Sequence, residues 1–203
     1  MLNIAVFVSG RGSNLKSLSE LEIKEKIKIN AVVSDKENCG AVGYAVENQI
    51  PVFLVSQNKS NKFFSYNELV DQLKKNKIDL IVLAGFLKKI PDSIIDDFEN
   101  RIINIHPALL PKFGGKGMFG INVHKAVFDS SEKISGATVH LVDKIYDNGK
   151  IIAQSFVDIS ELKSPEEIAE KVLIAEHKLL PFVVEKFADH KIVINQNRVI
   201  IAD

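Results

Sequence analysis

Three polar groups in this 203-residue chain have the types and surroundings to do chemistry: Asn104, His106 and Asp147. The first two lie in an apolar run, Ile102-Ile103-Asn104-Ile105-His106, that stops at Pro107. Two positions apart on a strand, they point to one face at its carboxyl end. An unperturbed imidazole titrates at about 6.5, and a nearby carboxylate favours the cation, which can give a hydrogen bond or a proton to a developing oxyanion. The Asn104 amide offers a neutral donor to the same oxygen. Acid, oxyanion donor and orienting carboxylate together fit acyl-type transfer to an amine. No Ser or Cys stands as an obvious nucleophile, so no covalent intermediate is expected. The competing reading has His106 merely capping the turn before Pro107. His140, inside an apolar strand, reads as a satisfied core or supporting histidine, and His124 and His190 read as surface residues. Zinc held by His106, His140 and Asp147 would lack the spacing of any known metal motif, so no metal is expected.

A second chemical signal sits near the start. Ile4-Ala5-Val6-Phe7-Val8 has the continuous apolar character of a strand buried on both faces, and Ser9-Gly10-Arg11-Gly12-Ser13-Asn14 follows it. Leu15, Leu18 and Leu21 then mark an amphipathic helix. Strand, glycine turn and helix aim backbone N–H groups and a helix start at an anion, with Ser13 and Asn14 adding side-chain donors. A dinucleotide fingerprint competes, with Asp35 imitating its ribose-binding acid, but Leu15 stands where the third glycine belongs. A turn that only needs positive φ is the plain alternative.

The elements that must position these groups alternate. Strands are expected over 29–34, 51–55, 80–84 and 102–105, with helices over 41–48, 63–75 and from Pro91 through Phe98. That alternation predicts a doubly wound, mostly parallel α/β sheet whose loops after Ser9, Ala84 and Ile105 face one crevice. Ser56 to Asn61 reads as a polar loop. The glycines at 114, 115, 117 and 120 make a flexible stretch around Lys116 that lacks the spacing of a phosphate-binding Walker loop. A short helix over 123–128 and strands over 135–142 and 151–159 follow, so the sheet ends in a non-parallel section. Ser164-Pro165-Glu166-Glu167 opens a long helix that Pro181 is expected to kink or interrupt, and the tail reads as a hairpin around Asn195-Gln196-Asn197. No repeat or linker breaks the pattern, which predicts one domain over 1–203.

Composition bounds the classes of function. Hydrophobic residues make up 46% and charged residues 26%, with formal net charge +0, which argues against a nucleic-acid or membrane-surface binder working by bulk charge. Only Arg11, Arg101 and Arg198 carry the bidentate fork that lysine cannot replace. The single cysteine, Cys39, makes no internal disulfide, and no apolar run approaches the roughly 18 residues of a membrane helix. With no leader pattern at Met1-Leu2-Asn3-Ile4, the cytoplasm is the expected compartment.

Taken together the motifs carry a likeness. Ser-Gly-x-Gly-Ser-Asn-Leu at 9–15, Leu-Ala-Gly-Phe at 83–86, Asn-Ile-His-Pro-x-Leu-Leu-Pro at 104–111 and Gly-x-Thr-Val-His through Asp-x-Gly at 136–149 occur in order. The chain resembles the phosphoribosylglycinamide formyltransferases of purine biosynthesis, and the resemblance covers nearly its whole length. It implies a Rossmann-like formyltransferase fold and transfer of a formyl group from 10-formyltetrahydrofolate, as co-substrate, to the amine of a glycinamide ribonucleotide. Carried over, Asn104 and His106 hold and protonate the oxyanion of a tetrahedral intermediate. Asp147 keeps His106 charged and assists proton movement. Gly12, Ser13 and Asn14 cradle the nucleotide phosphate, and Glu176 contacts its glycinamide end. Leu87, Lys88, Lys89, Ile90 and Asn104, with Asp143, Lys144, Ile145, Tyr146 and Asp147, line the folate site. Lys88 stands where family members often have arginine, and a second basic contact has no clear match beyond Lys62. The implied partners are small molecules, on a monomer or homodimer, without nucleic acid or membrane.

Three rivals remain. Methionyl-tRNA formyltransferase shares the core but needs a further domain and a basic surface, and the formyltetrahydrofolate hydrolase needs an amino-terminal regulatory domain. A nucleotide-binding oxidoreductase, from another class, would require tight NAD binding.

Overall fold

The structure is a computed structural model, and it describes residues 1–22, 25–57 and 61–202, apart from the side chains of residues 21 and 22. Seven strands hydrogen-bond in the order β3-β2-β1-β4-β5-β6-β7. They are β1 Leu2–Val8, β2 Ile27–Ser34, β3 Val52–Leu54, β4 Leu80–Leu83, β5 Ile102–His106, β6 Ile134–Leu141 and β7 Ile151–Asp158. The pairs β1–β2, β1–β4 and β2–β3 are parallel, and β6–β7 is antiparallel. The result is the mostly parallel α/β sheet, with a non-parallel end, that the alternating pattern predicts. By packing, the chain divides into two compact units, Met1–Ile103 and Asn104–Asp203, and the division falls inside β5.

In the first unit the apolar runs become the buried strands. Ile4 through Val8 and Ile81 with Val82 are fully buried, as a sheet covered on both faces requires. Helix α1 Ser13–Glu22 buries Leu15 and Leu18, so the leucine in place of a third glycine is a core residue. Helix α2 is Gly40–Glu47 and α3 is Tyr66–Lys75, three residues shorter at its start than expected. The reason is Ser65, whose hydroxyl accepts the Glu68 N–H while Glu68 accepts the Ser65 N–H, a capping box that sets the first turn. Pro91 caps α4 Asp92–Asp97 from just outside it. Strand order reverses between β1 and β4, the switch point where open α/β sheets bind ligands. The polar loop expected over Ser56 to Asn61 lies partly outside the described residues.

In the second unit α5 Ile121–Asp129 is longer than expected, and α6 Pro165–Ala188 packs on β6 and β7. The expected interruption at Pro181 does not occur: the helix continues through it. Leu179, Leu180, Val183 and Val184 are buried on both sides of the proline, and that packing outweighs one missing N–H donor. The hairpin β8 Ile192–Ile194 with β9 Val199–Ile201 forms as expected. Among the described residues no helix is long and apolar enough to cross a membrane.

Leu15 tests the packing reading of the first helix. Leu15→Ala should remove about 2–5 kcal/mol of stability, read as a lower urea midpoint at unchanged slope. A loss within experimental error would mean that α1 is not seated on the sheet as described.

Candidate active site

Strand β5 carries Asn104 and His106 to its end, and β6 carries His140 to its own. The β6–β7 register shifts between Val139 and His140, immediately before the imidazole. Donor and acceptor roles then follow from the partners. His140 Nδ1 lies 2.7 Å from the Leu141 carbonyl, to which it must donate, so its Nε2 accepts from Asn104 Nδ2 at 3.0 Å. His106 Nε2 donates to the Phe113 carbonyl at 2.8 Å, which turns Nδ1 toward Asp147 Oδ2 at 3.7 Å. Asp147 Oδ1 lies 3.7 Å from His140 Nε2. The carboxylate therefore sits between two imidazoles, at ion-pair rather than hydrogen-bond distance. Its closest donor is the N–H of Gly115, 2.9 Å from Oδ2.

The glycine stretch makes that last contact possible. Gly115 has φ +97, a backbone that other residues rarely adopt. A Cβ on Gly114 would fall 2.5 Å from Leu110 Cδ2 and 3.1 Å from Asp147 Cβ. Only a residue without a side chain lets the loop lie this close to the carboxylate.

Charge in the cluster follows from competing causes. Burial lowers the His106 pKa; Asp147 and the Phe113 carbonyl push it up, His140 pushes it down, and the net shift is below the ordinary value. The carboxylate that was expected to keep His106 charged is thus outweighed by desolvation in the free protein. For Asp147, burial alone would raise the pKa. His140, His106 and the Gly115 N–H outweigh it and hold the carboxyl below its usual range.

Two features were not foreseen in the sequence. Thr138, fully buried, accepts the Leu110 N–H at 3.1 Å and donates to the Ala108 carbonyl at 2.7 Å. Gln154 donates to Thr138 Oγ1 and to the Leu110 carbonyl, each at 3.0 Å. These two side chains fasten the loop after His106 to β6 and β7. Their signal was available in part, since both are polar residues inside apolar strands. The second feature corrects an expectation: His124 is not at the surface but 5% exposed on α5, with no hydrogen-bond partner at its buried Nδ1. Burial, helped by His106, pushes its pKa down to about 4. Its helical position conceals this, because the apolar face of α5 includes it between Val123 and Val127. His190 is exposed, as expected.

The other predicted residues distribute as follows. Asp143 accepts the Ile145 N–H at 2.8 Å and the Asn148 amide at 3.1 Å, shaping a turn that leaves Lys144, Ile145 and Tyr146 exposed ahead of Asp147. Glu176 is buried on α6, which removes the alternative of an exposed helical glutamate. In the first unit, Gly12 has φ +80, and a Cβ there would meet Ala41 Cβ at 2.7 Å, so the loop presses on the start of α2. Ser13 and Asn14 begin α1, where first-turn N–H groups lack intrahelical acceptors. Leu87, Lys88 and Lys89 are exposed after β4, whereas Ile90 packs into the core. Lys62 pairs with Glu37 at 2.8 Å. Asp35, the possible ribose acid, accepts the Ser9 hydroxyl at 2.6 Å. Among the described residues no group of three His, Cys, Asp or Glu is arranged to hold a metal ion.

Comparison with known proteins decides the family. The formyl transferase family model matches residues 2–184. The chain belongs to the formyl transferase family. It is 46% identical over 193 residues to the chloroplastic phosphoribosylglycinamide formyltransferase of Vigna unguiculata, covering 94% of this chain and 62% of that one. It is 34% identical over 189 residues to phosphoribosylglycinamide formyltransferase of Bacillus subtilis (strain 168), covering 92% and 94%. The chain thus spans about two thirds or slightly less of the plant relatives' length and nearly all of the bacterial one. The crystal structure of phosphoribosylglycinamide formyltransferase from Anaplasma phagocytophilum superimposes with a TM-score of 0.89 at 31% identity, over 100% of this chain and 94% of that one. A formyltetrahydrofolate deformylase from Pseudomonas syringae shares the fold, at 21% identity and a TM-score of 0.86.

Two outcomes are expected from this geometry. Thr138→Val keeps the shape but strands the Leu110 N–H and the Ala108 carbonyl, so stability should fall by about 1–3 kcal/mol, measured by urea denaturation. Acid sensitivity is the other. His106 and His124 are buried with lowered pKa values, so the unfolded chain binds protons that the folded one does not. Their contribution to stability is complete above about pH 6.5 and is lost as pH falls, for His124 through about 4. His124→Gln should make that acid limb shallower by close to one proton; an unchanged limb would mean that the ring is solvated.

Proposed function

We propose that this chain transfers the formyl group of 10-formyltetrahydrofolate to the amine of 5'-phosphoribosylglycinamide, in purine biosynthesis, as a single 1–203 formyltransferase domain. The observation that carries the reading is the Asp147 carboxylate between two imidazoles, with the Asn104 amide hydrogen-bonded to one of them. The names and extent of the bacterial relatives support the substrates.

The amine nitrogen attacks the formyl carbon and the C=O pair moves to oxygen. The oxyanion takes hydrogen bonds from Asn104 Nδ2 and from His106. A resting, neutral His106 has its N–H on Nε2, given to the Phe113 carbonyl. An oxyanion replacing that carbonyl as acceptor is charged and draws the imidazole toward its cation, the form that Asp147 at Nδ1 also favours. Collapse of the intermediate breaks the bond from carbon to the folate nitrogen. That nitrogen gains the proton which the attacking amine loses, by way of Asp147 and His106. Gly12, Ser13 and Asn14 take the phosphate on the N–H groups that begin α1. Glu176 holds the glycinamide end. Leu87, Lys88, Lys89 and Ile90, with Asn104 and the 143–147 turn, receive the folate. The same reading includes a cytoplasmic location and a monomer or homodimer, which fractionation and light scattering check. Asp35 is already committed to Ser9, which disfavours the dinucleotide reading.

The test is purified protein with both substrates, following the folate product spectrally. Tetrahydrofolate should appear only when the ribonucleotide is present. Absence of ribonucleotide-dependent turnover removes the proposal, and formate released without the nucleotide favours a hydrolase. His106→Ala and Asp147→Asn should each lower kcat by about a hundredfold or more while KM changes little. Rates like those of the wild type would refute the roles.

A further inference from the structure

Ser9 comes directly after β1, whose parallel pairing with β2 ends at Val8, and is 3% exposed. Its hydroxyl makes two hydrogen bonds whose directions are forced. The Leu87 N–H can only donate, so Ser9 Oγ accepts there at 2.9 Å; the Asp35 carboxyl oxygen Oδ1 takes the hydroxyl proton at 2.6 Å. The Ser9 N–H donates to the Gly85 carbonyl at 3.1 Å. Asp35 follows β2, Ser9 follows β1 and Leu87 follows β4. One hydroxyl therefore fastens three strand ends, at the point where strand order reverses. Both of the loops it joins are anchored elsewhere too. The Gly10 carbonyl accepts the Ala41 N–H at 3.1 Å, and the Phe86 ring packs edge-on against Phe7, with centroids 5.4 Å apart.

We propose that the Asp35–Ser9–Leu87 relay is a positioning device that makes the 10–14 loop and the 85–89 loop one mechanical unit, so that a ligand ordering either loop prepares the other. This rests on the assignment above of the phosphate to Gly12, Ser13 and Asn14 and of the folate to the Leu87 segment. Independent loops would each lose conformational entropy when their own ligand binds. Tied loops lose much of it together, at the first binding event, so the second ligand binds more tightly. Linkage is reciprocal, so each ligand strengthens the other by one and the same factor. Ser9 touches neither ligand in this scheme and acts through its neighbours.

The experiment is calorimetric titration of the whole protein with glycinamide ribonucleotide and with tetrahydrofolate, each alone and in the presence of the other, a pair that cannot turn over. In the wild type each ligand should tighten the other by about five- to tenfold. Ser9→Ala should reduce that factor to within about twofold. It should also raise KM for both substrates and leave kcat at saturation nearly unchanged. Ser9→Thr, which keeps the hydroxyl, should restore the linkage. Hydrogen exchange on the ligand-free protein gives a second measurement, in which Ser9→Ala speeds exchange of the Leu87 amide and of the amides at 12–14. Wild-type protein that binds both ligands without mutual effect overturns the relay alone, as does a Ser9→Ala variant whose linkage or Leu87 exchange is unchanged. Protein that binds neither ligand removes the functional reading, and the linkage with it.

Discussion

A largely buried carboxylate needs donors and favourable charge around it, and Asp147 accepts the Gly115 N–H and has an imidazole nitrogen 3.7 Å away on each side. Much of the second unit's local geometry follows from that demand. The Gly115 N–H must approach closely, so the chain before it lies almost in contact with Asp147 and residue 114 has no side chain. Each imidazole must turn a nitrogen toward the carboxylate, so its other nitrogen gives a proton to a carbonyl, Phe113 for His106 and Leu141 for His140. Those carbonyls fix the tautomers, and the His140 tautomer in turn decides which atom of Asn104 faces it. Thr138 and Gln154 hold the connecting loop at its base.

The cluster balances burial against charge, and the balance differs from one group to the next. His106 gains from Asp147 and loses more from desolvation, so it rests as a neutral imidazole with one committed N–H. Asp147 rests as a carboxylate because His140, His106 and the Gly115 N–H together outweigh its burial. A neutral acid partner beside a fixed negative charge is sensitive to any new negative charge nearby, and a developing oxyanion supplies one. His124 carries the same tendency further: buried with an unpartnered Nδ1, it stays neutral to about pH 4 and contributes no charge to the reaction at neutral pH.

The first unit follows a different constraint, that of strands ending where their order reverses. At that point backbone groups beyond the ladder still need partners. There the Gly85 carbonyl accepts the Ser9 N–H, while the Ser9 hydroxyl accepts the Leu87 N–H and donates to the Asp35 carboxylate. Gly12 is held by backbone geometry and by its contact with Ala41, and so the start of α1 is presented in a defined direction.

Much was readable from residue order alone, because buried parallel strands and amphipathic helices impose local periods of apolar residues. The runs 4–8 and 80–84, the Ser164-Pro165 helix start, the tail hairpin and the display of Asn104 with His106 are of that kind. Motif order also carried the family. What local pattern could not contain were the relations made by residues far apart in the chain. Ser65 overruled periodicity at the start of α3, and packing on both sides of Pro181 overruled the proline. His124 proved buried because α5 turns that face inward. The distance from Asp147 to His106, 3.7 Å, joins residues 41 positions apart with the Gly114–Gly115 backbone packed against the carboxylate, a meeting that no local pattern contains. The chain by itself determined which chemical groups were present and on which kind of element each stood. Only the tertiary structure decided which of them meet and in which charge state, because desolvation and Coulomb attraction depend on distances that the folded packing creates.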